Sequence, residues 1–171
     1  MKRSQPEPKQ VVKQRRDAAL KALVDAVPYA RVLGITFERR GDELSSTLHY
    51  QDSNIGNPLI PALHGGATAA FLEVTAQITL HWFHLWPQFE SGALDVETMV
   101  AGDMPRQPKT IDFTVDYLRS GLPRDAYARA TVNRSGRRYA SVHVAAWQDH
   151  KDKLFAQATG HFLMPQSRSP D

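Results

Sequence analysis

The chain has 171 residues, 42% of them hydrophobic and 23% charged. That is the length of one domain and the composition of an ordinary globular protein, which excludes a disordered, collagen-like or coiled-coil chain. No run approaches the about 18 apolar residues of a membrane span. The absence of Cys excludes disulfides, thiolate ligands and thiol nucleophiles. The opening residues lack the apolar stretch of a secretory signal, so a cytoplasmic location is expected.

The net charge of +3 is unevenly spread. Residues 1–21 hold seven basic side chains (Lys2, Arg3, Lys9, Lys13, Arg15, Arg16, Lys21) against Glu7 and Asp17, a local charge of +5 that leaves −2 for the remainder. This segment contains no aromatic side chain for stacking on bases, so a solvated basic helix is expected at residues 1–27, with no nucleic-acid partner.

In chain order, residues 9–27 read as a helix, with Val12, Ala19, Leu23 and Val27 near one face and Pro28 stopping it. A short turn is expected at Tyr29–Leu33. The period then changes to two: Ile35 and Phe37, then Leu44, Leu48 and Tyr50, alternate with polar residues around an Arg40-Gly41-Asp42 turn, which predicts a hairpin. Residues 51–62 contain two Pro and a Gly and form a loop. Residues 65–86 are almost wholly apolar, and a helix apolar on nearly all sides is a buried one. Residues 87–108 have no clear period and read as a long excursion. Four strands are expected afterwards, at 110–118 (with Ile111, Phe113, Val115 and Tyr117 on one face), 127–133, 138–148 and 153–164, the middle pair joined by a turn at 134–137. Residues 166–171 read as a frayed tail. The order predicts an α+β domain over residues 28–165, a curved antiparallel sheet wrapped around one long helix.

The chemistry concentrates at the start of that helix, in Leu63-His64-Gly65-Gly66-Ala67. Two glycines there leave N–H groups without intrahelical partners, and with the helix dipole they suit a developing oxyanion. Glu73 is the only charged residue between Gly65 and His81. A buried carboxylate is costly, so such a residue is paired, protonated or functional, and general base or nucleophile is the functional role. Gly65 and Glu73 are eight residues apart, about 12 Å along one helix, too far to meet at one carbonyl. Two antiparallel copies about a two-fold axis could bring Gly65 of one to Glu73 of the other, so a homodimer with two composite sites is expected, with a dimer of dimers equally open. His81 and His84 have a spacing that can bind metal, but no local acid completes a set, so no metal site is expected.

His-Gly-Gly followed by an acid nine positions after the His resembles the hotdog-fold acyl-CoA thioesterases of the phenylacetate-pathway-like (PaaI-like) group. Thr110-Ile-Asp-Phe-Thr-Val-Asp-Tyr-Leu-Arg119 resembles that family's next strand, Gly136-Arg137-Arg138 its hairpin, and Ala156 to Phe162 its last strand. The resemblance implies hydrolysis of an acyl-CoA to a carboxylic acid and coenzyme A, with coenzyme A as part of the substrate and no other cofactor. It implies that Gly65 supplies the oxyanion N–H with Gly66 beside it, that Glu73 activates water or attacks directly, and that His64 shapes the loop near the carbonyl. Gln77 and Thr110 match positions of water-orienting groups, and Arg119, Arg137 and Arg138 resemble residues near the coenzyme A phosphates. Members often carry Asn or Gln six positions before the His; this chain has Pro58 there, with Asn57 as the nearest substitute. Two alternatives are a hotdog enoyl-CoA hydratase or dehydratase, for which Leu59 stands where a His is needed, and a non-catalytic acyl-CoA-binding protein.

Overall fold

The computed structural model describes residues 8–165; the expected tail at 166–171 and Lys2, Arg3 and Glu7 of the basic segment lie outside them. Helices α1 (Lys9–Asp25) and α2 (Pro28–Leu33) lead into the hairpin β1 (Ile35–Arg40) and β2 (Glu43–Leu48). A loop containing a 3₁₀ turn (Asp52–Asn54) delivers the chain to the long α3 (Gly65–Glu90), followed by a short α4 (Val96–Val100). Strands β3 (Lys109–Tyr117), β4 (Ala126–Ser135), β5 (Tyr139–Trp147) and β6 (Leu154–Leu163) complete one antiparallel sheet in the order β1-β2-β4-β5-β6-β3. The sheet curves around α3.

The packing follows from the apolar periodicities. Along β5 and β6 every second residue is buried, and Val142, Val144, Ala156, Ala158 and Phe162 meet Phe71, Leu72, Ile78 and Leu80 of α3 in one core. Gly160 is required for close approach: a Cβ there would lie 2.7 Å from the Phe162 ring and 2.8 Å from that of Phe113. The core also holds a polar pair. Ser46 Oγ on β2 lies 2.7 Å from Thr75 Oγ1, and Thr75 in turn donates to the Phe71 carbonyl at 2.7 Å, so the hydroxyls are satisfied where they are buried.

Three expectations change. Part of the 87–108 excursion is helical, because α3 continues through Pro87 to Glu90 and α4 follows. The N-terminal helix is no solvated arm: Ala19, Leu20 and Leu23 are buried, and Arg16 lies 3.7 Å over the Trp86 ring while reaching Glu90 at 3.1 Å. Finally, Ile111 does not share a face with Phe113, Val115 and Tyr117. A bulge between Thr110 and Asp112 shifts the register, so that Thr110 pairs with Phe162 and Phe113 with Gly160. Partners in register share a face, so Thr110 turns towards α3 and Ile111 is left 58% exposed.

His81 lies in the core at 3% exposure, and neither ring nitrogen has a hydrogen-bond partner. Burial, and secondarily the neighbouring His84, push its pKa from 6.5 down to about 4. Among the described residues no group of three His, Asp or Glu side chains could hold a metal ion, and no helix is long and apolar enough to cross a membrane.

Two measurements test this description. Leu23→Ala leaves a void beneath α1 and is expected to cost about 2–5 kcal/mol in urea unfolding, whereas a solvated arm would cost nothing. His81 remains neutral when folded, so its contribution to stability is complete above the unfolded pKa of 6.5 and is lost as the pH falls towards about 4. The loss amounts to about 3 kcal/mol. Urea unfolding at pH 7 and pH about 4.5 is expected to show a markedly smaller difference in His81→Leu than in the wild type.

Candidate active site

The loop before α3 is pinned at several points. The His64 N–H donates to the Asn54 carbonyl at 2.8 Å and that of Leu63 to the Gly121 carbonyl at 2.8 Å, while Ile55 and Leu63 form an isolated bridge. Asn54 is buried, and its Nδ2 donates to the Leu33 carbonyl at 3.2 Å. These bonds set the entry of the helix. His64 is its N-cap: the exposed imidazole accepts the Gly66 N–H on Nδ1 at 2.9 Å. A Cβ on Gly66 would lie 2.9 Å from that nitrogen, so the cap needs glycine at this position. The Gly65 N–H, one residue into the helix, has no acceptor among the described residues, and it sits at the positive end of a 26-residue helix.

Glu73 lies two turns further along α3. It is half-buried rather than sunk in the core, and it has neither an ion pair nor a hydrogen bond among the described residues. Its carboxylate side chain lines a cleft of about 940 Å³ together with Gln77, Arg106, Lys109, Thr110 and Arg138. Gln77 Nε2 donates to the Pro108 carbonyl at 3.1 Å, which ties this part of the helix to the segment entering β3. Thr110 reaches this cleft because the bulge at Ile111 turns it inward. Arg137 lines an adjoining cleft of about 660 Å³ with His81, His84 and Arg106; His84 Nε2 lies 2.6 Å from Ser135 Oγ, and its pKa is lowered by burial.

The expected residues therefore fall into two groups. Glu73, Gln77, Thr110 and Arg138 meet at the beginning of β3, with Arg137 close by. His64, Gly65 and Gly66 lie beside the other end of that strand, where the Tyr117 hydroxyl donates to the Gly65 carbonyl at 2.8 Å. Helix α3 and strand β3 thus run in opposite directions, with Gly65 against residue 117 and Gln77 against residue 108. Two expected residues join neither group. Asn57 Oδ1 accepts the Leu59 N–H at 2.9 Å and closes a turn in the exposed loop. Arg119 is exposed just beyond β3, its N–H donating to the Phe155 carbonyl at 3.0 Å. Sequence reasoning missed Tyr117 as a partner of the helix start, and it missed Asn54; the period-two pattern assigns Tyr117 only a face, and a polar residue within a Pro- and Gly-rich loop carries no sign of burial.

The family model for the acyl-CoA thioesterase N-terminal domain matches residues 57–163, which contain both groups. The chain is similar to a medium/long-chain acyl-CoA thioesterase, YigI, of Salmonella typhimurium, with 28% identity over 144 residues, covering 81% of this chain and 86% of the relative. Among solved structures it resembles a protein from Chromobacterium violaceum at 29% identity and a TM-score of 0.61, covering 92% of this chain and 98% of the other. It also resembles a phenylacetic acid degradation-related protein from Ralstonia eutropha, at 20% identity and a TM-score of 0.63 over 88% of this chain and 99% of the other.

Proposed function

We propose, from the premise that the chain belongs to the acyl-CoA thioesterase family and is a hydrolase of thioester bonds, that Glu73 and Gly65 act together in sites shared between the two protomers of a homodimer. The observation that carries this is the opposed run of α3 and β3. Among the described residues strand β3 pairs only with β6, so its other edge has no partner strand there. When two such edges pair antiparallel about a two-fold axis, the end of one β3 lies opposite the beginning of the other. Gly65 of one protomer then faces the cleft that holds Glu73, Gln77 and Thr110 of the second. Within one chain the same two residues stay about 12 Å apart along the helix.

In this arrangement the thioester oxygen accepts the Gly65 N–H as charge develops on it, a contribution of about 3–4 kcal/mol for one such donor. By the base route, Glu73 takes a proton from water oriented by Gln77 and Thr110, the water oxygen bonds to the carbonyl carbon, and the carbon–sulfur bond breaks. The departing sulfur takes the proton back from Glu73. By the nucleophilic route, the carboxylate oxygen attacks first and the carbon–sulfur bond breaks to release the coenzyme A thiolate. Water then cleaves the resulting anhydride, which regenerates the Glu73 carboxylate and leaves one proton on the carboxylic acid and one on the thiolate. The products are the same. Arg106, Arg137 and Arg138 along the clefts suit the phosphates of coenzyme A, and the relative named for medium- and long-chain substrates supports an acyl group of that class.

Glu73→Gln is expected to lower kcat by about 10²–10⁴-fold in a thiol-release assay while the melting temperature holds. Gly65→Pro removes the N–H at a position where proline suits a helix, its Cβ coming into ordinary contact with Tyr117, and is expected to cost about 10²–10³-fold. Mixing the two inactive variants tests the sharing directly. Random reassociation makes half the dimers hybrid, each with one intact site, so activity should return to about a quarter of the wild type. A mixture as inactive as its components would place both residues of each site in one chain, against the proposal.

A further inference from the structure

Tyr117 ends β3 with its ring against the start of α3, where a Cβ on Gly65 would be 3.4 Å from the hydroxyl oxygen and 3.5 Å from the ring. The hydroxyl donates to the Gly65 carbonyl at 2.8 Å. That carbonyl belongs to the same peptide group as the Gly66 N–H, which donates to His64 Nδ1 at 2.9 Å. The two hydrogen bonds therefore occupy the two ends of one amide. An amide that accepts at its oxygen becomes a stronger donor at its nitrogen, and bonds linked in this way reinforce each other by about 10–30%. Helix caps are usually Ser, Thr, Asp or Asn. A histidine cap differs because it has a second ring nitrogen: with Nδ1 accepting, the proton of the neutral imidazole resides on Nε2. His64 is exposed and immediately precedes Gly65 in the chain, so this Nε2–H is a second donor at the helix start, in addition to the Gly65 N–H that has no acceptor among the described residues.

We propose that Tyr117 is a positioning residue which, through the Gly65–Gly66 peptide, holds His64 in its Nε2–H form and steadies the first turn of α3, so that the helix start offers two donors rather than one. The inference rests on the oxyanion role proposed for Gly65. Tyr117 acts on the reaction only through that peptide, and the three groups come from β3, the helix start and the loop before it.

The test is Tyr117→Phe, which keeps the ring over Gly65 and removes only the hydroxyl. In protein labelled with ¹⁵N at histidine, the wild type is expected to show His64 as a single neutral tautomer with unprotonated Nδ1. In Tyr117→Phe both nitrogen signals should move towards the average of the two tautomers. In the same variant kcat should fall about fivefold with KM held within about twofold, and the melting temperature should stay within about 2 °C. Nitrogen signals that do not move in Tyr117→Phe overturn the inference, whether kcat is unchanged or falls together with the melting temperature. Should the wild type hydrolyse no acyl-CoA, the proposed function fails, and the nitrogen signals still decide the part played by Tyr117.

Discussion

A helix with apolar side chains on nearly every face cannot lie on one surface of a sheet; the sheet must bend around it. That requirement, set by α3, organises the rest of the molecule. Phe71, Leu72, Ile78 and Leu80 are completely buried, and only a strongly curved six-stranded sheet supplies enough inner face to cover them. Wrapping also fixes direction. Both ends of strand β3 are fastened to helix α3, through Tyr117 and the Gly65 carbonyl at one and Gln77 and the Pro108 carbonyl, just before the strand, at the other. The polar groups that the helix cannot bury, its unpaired N-terminal donor and its carboxylate, emerge at opposite ends of the same open strand.

Much of this was legible in the sequence because it is written as periodicity. The change from a helical to a two-residue period marks the hairpin at residues 35–48. The apolar run from Gly65 marks the central helix, and the alternation after residue 126 marks strands that the structure places within one or two residues of their expected limits. The fold family was legible too, since a His-Gly-Gly junction and a spaced acid form a local motif. What escaped the sequence depends on register and depth. The bulge at Ile111 adds one residue to β3 and reverses which side of the strand faces inward, and Ile111 itself looks like an ideal core residue. Glu73 is flanked by buried neighbours, Leu72 and Val74, yet its own position on the helix faces a cleft. Asn57 and Asn54 are three residues apart in one loop; only the fold decides that Asn54 is buried and Asn57 closes a turn.

The basic N-terminal segment shows how far composition can mislead about location. Its charges suggest a helix at large in water, but a single stripe of Ala19, Leu20 and Leu23 seats it in the core. One of the cations serves the packing: Arg16 lies flat on Trp86 and reaches Glu90, so it joins α1 to the last turns of α3 by stacking and by charge together. The aromatic cluster it covers, Trp82, Trp86 and Phe89 with ring centroids 5.6–6.4 Å apart, would otherwise leave a broad apolar surface at the end of the helix farthest from Gly65.

The two margins of the sheet are unlike. Strand β1 carries Glu38, Arg39 and Arg40 and lies alongside α1, where Arg39 is paired with Asp17 at 3.1 Å. Strand β3 also carries charges, Lys109, Asp112 and Asp116, but its outer edge is unpaired among the described residues. The helix alongside discourages a foreign strand from adding at β1, so in the proposed dimer the sheet is lengthened at β3. An addition there by a second copy consumes the open margin of both and leaves a guarded one at each extremity. In the proposed dimer, strand addition is thereby self-terminating, and the surface that would join two molecules would not seed a fibre.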